Sequence, residues 1–172
     1  MRPVSLFIAT SLDGYIARED GSVDWLFSDQ DYGYSAFYER VDTVLMGRHT
    51  WQQVQQLGAY PYAGKPGIVF SHALSGTDDP DVQVVVDPVD TWLREHKQAA
   101  GGTIWLVGGA KLVDSCLQAD LIDEFILSIH PVILGDGIPL FRPGHRTLPL
   151  TLIHQESFDT GLIQLTYQRP RE

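Results

Sequence analysis

Short apolar runs that stop at glycine and pass straight into a helical pattern constrain this chain most. Thr43–Met46 ends at Gly47, after which Trp51, Val54 and Leu57 recur every three residues and Gly58 closes the stretch. Thr103–Val107 runs into Gly108-Gly109, and Leu112, Val113, Cys116 and Leu117 then stripe a second helix. A continuous apolar run with no polar alternation is the pattern of a strand buried on both faces, as in a parallel sheet with helices over it. Val4–Ala9, Ile68–Phe70, Val82–Val86 and Glu124–Ile129 are runs of the same kind. Tyr34, Phe37, Tyr38 and Val41 fall at i, i+3, i+4 and i+7, one face of a helix. Pro88 opens another helix, striped by Val89, Trp92, Leu93 and His96.

The tail changes character. Thr151–Phe158 and Leu162–Gln168 flank Asp159-Thr160-Gly161, a hairpin signal, and the alternation of Ile163, Leu165 and Tyr167 predicts one buried face. Gly58–Gly67 and Pro131–Pro139 are rich in glycine and proline and read as irregular. The expected fold class is α/β: a central, mostly parallel, twisted sheet with helices on both faces and a C-terminal antiparallel hairpin at one edge. With 172 residues and no composition shift, linker or repeat, one domain over 1–172 is expected.

Charge and cysteine content remove several function classes. Twelve Lys and Arg stand against 22 Asp and Glu, a net charge of −10, so neither nucleic acid nor an anionic membrane is an expected partner. The lone Cys116 forms no internal disulfide and, on the apolar stripe of its helix, reads as a packing residue. No Cys/His cluster has zinc-ligand spacing, and no metal is expected. The apolar run near the N-terminus is too short for a signal-peptide core, which leaves the cytoplasm as the expected compartment.

In open α/β sheets ligands bind beyond the carboxyl ends of the strands, so the two glycine junctions are the first candidates. A helix N-terminus offers free N–H groups and a partial positive charge. Gly47 leaves room for a phosphate, Arg48 adds a planar cation and Thr50 a hydroxyl; the alternative is a capped helix with a solvated Arg48. Gly108-Gly109 followed by Lys111 repeats the arrangement, although two glycines also make a plain tight turn. Ser71 and His72 leave a strand end, either towards a nucleotide or as the polar start of a loop. Asp31 heads the Tyr34/Phe37/Tyr38 helix, either as a carboxylate favoured by the helix dipole or as a pocket acid. Asp13-Gly14 reads as a turn. The histidines at 96, 130, 145 and 154 carry no pattern of their own.

Met46-Gly47-Arg48-His49-Thr50-Trp51, taken with Gly108-Gly109, resembles the dihydrofolate reductase superfamily. Ser11-Leu12-Asp13-Gly14-Tyr15-Ile16-Ala17, Asp42–Arg48 and Gly135-Asp136-Gly137-Ile138-Pro139-Leu140-Phe141 are similar to the branch that holds the reductase domain of the bifunctional riboflavin deaminase–reductase. The resemblance runs from about Val4 to Tyr167. It implies a sheet of about eight strands and NADPH as hydride donor. Gly47, Arg48, His49 and Thr50 then match the segment that takes the 2′-phosphate and pyrophosphate. Ser71 and His72 lie along the adenosine end. Gly108, Gly109, Ala110, Lys111 and Leu112 match the loop on the pyrophosphate and nicotinamide side. Ala9 and Ile16 border the nicotinamide, and Ser128 falls where folate reductases carry a threonine near the pterin.

Asp31 stands 16 residues before Gly47, the spacing of the pocket carboxylate in folate reductases, and with Phe37 and Ser128 it would bound the substrate pocket and supply a proton. The chain departs from folate reductases in Ala110, where they carry a third glycine, and in the Ser11–Gly14 signature. No zinc-binding His/Cys set of a deaminase domain is present. The implied activity is reduction of 5-amino-6-(5-phosphoribosylamino)uracil, for which Arg18, Lys65 or Arg142 would bind a second phosphate. Dihydrofolate or pteridine reduction is the alternative, and a nucleotide-binding homodimer without turnover is a third. Small members of the branch pair as homodimers, and a small-molecule substrate is the implied partner.

Overall fold

The structure, a computed structural model, describes residues 1–170. Eight strands form one sheet in the order β5-β4-β3-β6-β1-β7-β10-β9. They are β1 (Val4–Ser11), β3 (Val41–Gly47), β4 (Gly67–Phe70), β5 (Val82–Val85), β6 (Thr103–Gly108), β7 (Glu124–His130), β9 (Thr151–Ser157) and β10 (Ile163–Gln168). Strands β5 through β7 in that order are parallel, and β10 is antiparallel to both β7 and β9. Two short strands, β2 (Tyr15–Ala17) and β8 (Ile138–Pro139), pair in a sheet of their own.

The helices divide between the two faces as strand parity requires. α3 (Val89–His96) and α4 (Ala110–Gln118) bury Leu93, Leu112, Val113, Cys116 and Leu117 against Val4, Leu6, Leu45, Ile104 and Leu106. α1 (Tyr34–Arg40) and α2 (Arg48–Gln56) bury Phe37, Trp51 and Val54 against Val44, Met46, Val69 and Trp105 on the other face. Neighbouring residues of one strand thus serve opposite cores, which is why these strands read as unbroken apolar runs.

Four local expectations change. α2 stops at Gln56, so Leu57 does not extend the Trp51/Val54 stripe and is 81% exposed. Val41 opens β3 instead of completing the face of α1, and stays buried there. The 131–139 stretch contains β8, where Gly137 is obligatory: its φ is +140°, and a Cβ would stand 2.3 Å from the Ala17 carbonyl oxygen. In β10 the more deeply buried residues are Gln164 and Thr166, while Ile163 is exposed. The alternation holds in part, since Leu165 and Tyr167 are half-buried and Tyr167 packs on the α3/α4 core, but the opposite face is buried more deeply because the neighbours of Gln164 satisfy its amide. β9 is exposed along its whole length, as the sheet's edge.

Candidate active site at the carboxyl ends of the strands

β3 and β6 are adjacent, with Met46 in register with Gly108, so the two glycine junctions lie side by side. A Cβ on Gly47 would stand 3.7 Å from the Gly109 nitrogen, and one on Gly109 3.6 Å from Thr50 Oγ1. Gly47 and Gly109 are the N-caps of α2 and α4, with no side-chain cap at either and no acidic residue in either first turn. Two sets of unpaired N–H groups therefore converge on one place, with the positive ends of two helix dipoles behind them. Gly108 has φ +132° and the Gly108–Gly109 peptide is cis.

The side chains around this point are available to different degrees. Arg48 is half-buried, with its guanidinium 3.2 Å from His49 Nε2, and His49 and Lys111 are exposed. Ala110 is half-buried. Leu112 is 8% exposed and its side chain belongs to the core under α4, so it offers only its backbone N–H. Phe70 pairs with Gly47, which sets Ser71 one residue beyond the neighbouring strand end. Ser71 Oγ accepts the Ala73 and Leu74 N–H groups at 3.1 and 3.2 Å and so shapes the turn, while His72 is exposed.

β1 and β7 form the second half of the face. Ala9 pairs with Ser128 and Ser11 with His130. Ile16, on β2, is half-buried against the α3/α4 core. Asp13 is committed: Ser11 Oγ donates to it at 2.6 Å, and the Leu134 and Gly135 N–H groups donate at 3.1 and 2.8 Å. The Ser11 hydrogen bond, with the two backbone N–H groups, holds this carboxyl below the usual aspartate range. Asp13 thus staples the loop after β1 to the loop after β7, and these donors favour its carboxylate form.

Asp31 is exposed, and its carboxylate accepts the Ser35 N–H at 3.1 and 3.2 Å and the Ser35 hydroxyl at 2.7 Å. It closes the first turn of α1 without ceasing to face water. Its neighbour Tyr32 is tied to the sheet: Gln164 Nε2 donates to the Tyr32 carbonyl at 2.9 Å and to Ser128 Oγ at 3.0 Å. The predicted pair Asp31 and Ser128 are therefore joined through a residue of β10. Phe37 does not join them at the strand ends. It is 4% exposed, stacked on Phe7 with centroids 4.5 Å apart and edge-on to Trp105, inside the core under α1.

The sequence signal at Gln164 is a polar residue between apolar ones in a strand. His130 gave none beyond its place at the end of an apolar run. The proposed phosphate ligands scatter. Arg18 is held by Asp24 at 2.6 and 3.2 Å, with Asp20 and Asp136 also near. Lys65 binds the Val41 carbonyl, at the opposite end of β3, and lies over the Tyr38 ring. Arg142 is exposed. Two cavities of about 200 and about 210 Å³ lie away from the junctions, one against α2 beside Trp51 and Tyr60, the other between α1 and β10 beside Phe37 and Gln164.

A parallel sheet with two bare helix starts at adjacent strand ends, followed by an antiparallel C-terminal pair, defines a dihydrofolate-reductase-like α/β domain. Within that class the chain belongs to the RibD C-terminal domain family, whose model matches residues 2–164. It is similar to the uncharacterized protein YwjB of Bacillus subtilis (strain 168), 41% identical over 98% of each chain. The crystal structure of the "putative riboflavin biosynthesis protein" of Shewanella sp. PV-4 has a TM-score of 0.87 and 32% identity, covering 98% of this chain and 99% of that one. The diaminohydroxyphosphoribosylaminopyrimidine deaminase/5-amino-6-(5-phosphoribosylamino)uracil reductase of Thermotoga maritima shares the fold at a TM-score of 0.76 and 19% identity. There 98% of this chain covers 57% of the other.

Proposed function

We propose that the chain is an NADPH-dependent oxidoreductase that reduces a small nitrogen heterocycle, of the 5-amino-6-(5-phosphoribosylamino)uracil reductase kind. The observation that carries it is the convergence of the uncapped starts of α2 and α4 at Gly47 and Gly109. These residues fit a dinucleotide: two glycines where a Cβ would narrow the gap, free N–H groups for a pyrophosphate, and Arg48 for a 2′-phosphate. His49, Thr50, Ser71, His72, Ala110, Lys111 and the Leu112 N–H would complete the cofactor side, with Ala9 and Ile16 beside the nicotinamide. When bound, the cofactor supplies the hydride.

The chain's own residues then orient the acceptor and deliver the proton. Ser128, adjacent to Ala9 across β1 and β7, presents a hydroxyl fixed by Gln164. Asp31, open to water and steadied by Ser35, can take a proton from solvent and pass it on directly or through water. Its spacing from Gly47 supports a second reading, reduction of a dihydrofolate or pteridine. The exposed edge strand β9, with Leu152 and Ile153 and the neighbouring Ile163, supports a homodimer. A buried lone cysteine suits a reducing compartment, the cytoplasm.

The test is thermal unfolding with NADPH and, in parallel, NADH. A ligand at 100 times its Kd adds about 2.7 kcal/mol, and for a domain of this size that raises Tm by roughly 5–10 °C. A rise with NADPH that exceeds the rise with NADH is expected, and no rise with either overturns the proposal. Turnover of the aminouracil substrate compared with dihydrofolate then separates the two readings.

A further inference from the structure

The segment between β2 and α1 crosses the ends of β1 and β7 and is tied to the rest of the fold near both ends and at its centre, the Tyr32 hydroxyl also bonding Thr160 Oγ1 at 3.1 Å. Gln53 Nε2 donates to the Gly21 carbonyl at 3.1 Å, and Gln164 Nε2 holds the Tyr32 carbonyl. Between them the Phe27 N–H donates to His130 Nε2 at 3.2 Å. His130 is 3% exposed, and its Nδ1 lies 3.1 Å from the Ser128 carbonyl oxygen. Only the neutral tautomer with its proton on Nδ1 serves both partners: Nδ1–H donates to Ser128, and the Nε2 lone pair accepts from Phe27. The Trp25 and Phe27 rings pack on the imidazole with centroids 5.2 and 4.9 Å away. Among the described residues Trp25 Nε1 is buried without a partner, and the centre of the segment is held by packing and by the Phe27–His130 hydrogen bond.

We propose that His130 is a positioning residue whose neutral imidazole latches the 18–33 segment, and with it Asp31, over the ends of β1 and β7. Proton uptake at Nε2 sets one N–H against another and releases the segment. The consequence for turnover rests on the reductase reading; the latch does not.

Around the imidazole only the Ser128 and Thr10 carbonyls favour the charged ring, and no carboxylate is paired with it. The segment presents the two aromatic rings, β7 the Ser128 carbonyl, and β1 the Thr10 carbonyl beside Ser11. Of the carboxylates on these elements, Asp20 is engaged with Ser22, Asp24 with Arg18, Asp29 with the Tyr32 hydroxyl, Asp31 with Ser35, Glu124 with Ser5 and Arg40, and Asp13 with Ser11 and the loop after β7, while Glu19 is exposed. Burial holds His130 below the usual histidine range, and the Ser128 and Thr10 carbonyls oppose it. Neither a metal nor a catalytic contact is required.

Hydrogen exchange of the whole chain at about pH 7.5 and about pH 5, corrected for intrinsic rates, tests the latch at the Phe27 amide. Protection there should fall about tenfold or more in acid while amides of β1 and β3 hold. His130→Gln, whose amide oxygen accepts at every pH, should abolish that fall. His130→Phe should lose the protection throughout. An equal fall in His130→Gln, or none in the parent, overturns the proposal, and this comparison stands even if His130→Phe does not fold. With the aminouracil substrate, His130→Gln should also remove an acid limb from kcat and leave NADPH affinity unchanged. Loss of NADPH binding by the parent would sink the reductase reading alone.

Discussion

Asp31 and Asp13 are both loop carboxylates near the same strand ends, and their hydrogen bonds give them different chemistry. Both face water, but Asp31 accepts hydrogen bonds from one serine, whereas Asp13 accepts from three donors on two loops. Asp31→Asn should therefore lower reductase kcat by ~10²–10⁴, the usual contribution of a positioned general acid, while NADPH binding measured by titration stays the same. Retention of full turnover would return Asp31 to the role of helix-end carboxylate. For Asp13 the sign of the pH dependence follows from its depressed value: its contribution is present above the unfolded aspartate range and is lost as pH falls through the folded value. The Leu134 and Gly135 amides should stay protected from exchange at neutral pH and open only in strong acid. Asp13→Ala should expose them at every pH.

At the scale of elements, the sheet supplies the site through register as much as through side chains. β10 runs antiparallel to β7, and that pairing places Gln164 opposite Ser128 and within reach of Tyr32 at the entry to α1. Replacing Gln164 with leucine keeps the volume but strands a carbonyl and a hydroxyl in a buried place, a cost of about 1–3 kcal/mol. Calorimetry of Gln164→Leu should show a Tm lower by roughly 2–10 °C. An unchanged Tm would mean that water replaces the amide. β-alternation misread this strand because it scores side chains by polarity alone. Here the polar face is the more deeply buried one, since α1 lies beside it and the amide finds both its acceptors. Leu57 failed for a different reason: a three-residue repeat cannot say where a helix ends.

For the whole molecule, assembly is tested at the edge of the sheet. β9 exposes its outer hydrogen-bonding row, and Leu152, Ile153 and Ile163 are 45%, 49% and 45% exposed. Light scattering after size exclusion should give twice the 19.2 kDa chain mass, and Ile153→Lys should shift it towards the monomer. A monomeric parent would rule the pairing out. No helix among the described residues is long and apolar enough to cross a membrane.

The sequence by itself determined the parallel core and the two glycine-to-helix junctions, because these depend on local signals: unbroken apolar runs, glycine at the strand end and helical periodicity. It also placed Asp31 at a helix start and marked the Ser11–Gly14 turn. Only the tertiary structure decided that Asp13 is a staple, that Phe37 lies in the core, and that Gln164 and His130 hold the segment before α1. Apart from Phe37, whose partners Phe7 and Trp105 are nearer in the chain, those assignments join residues about a hundred or more positions apart, Phe27 to His130 and Tyr32 to Gln164. Such contacts are set by sheet order and strand register, which no local pattern in the chain encodes.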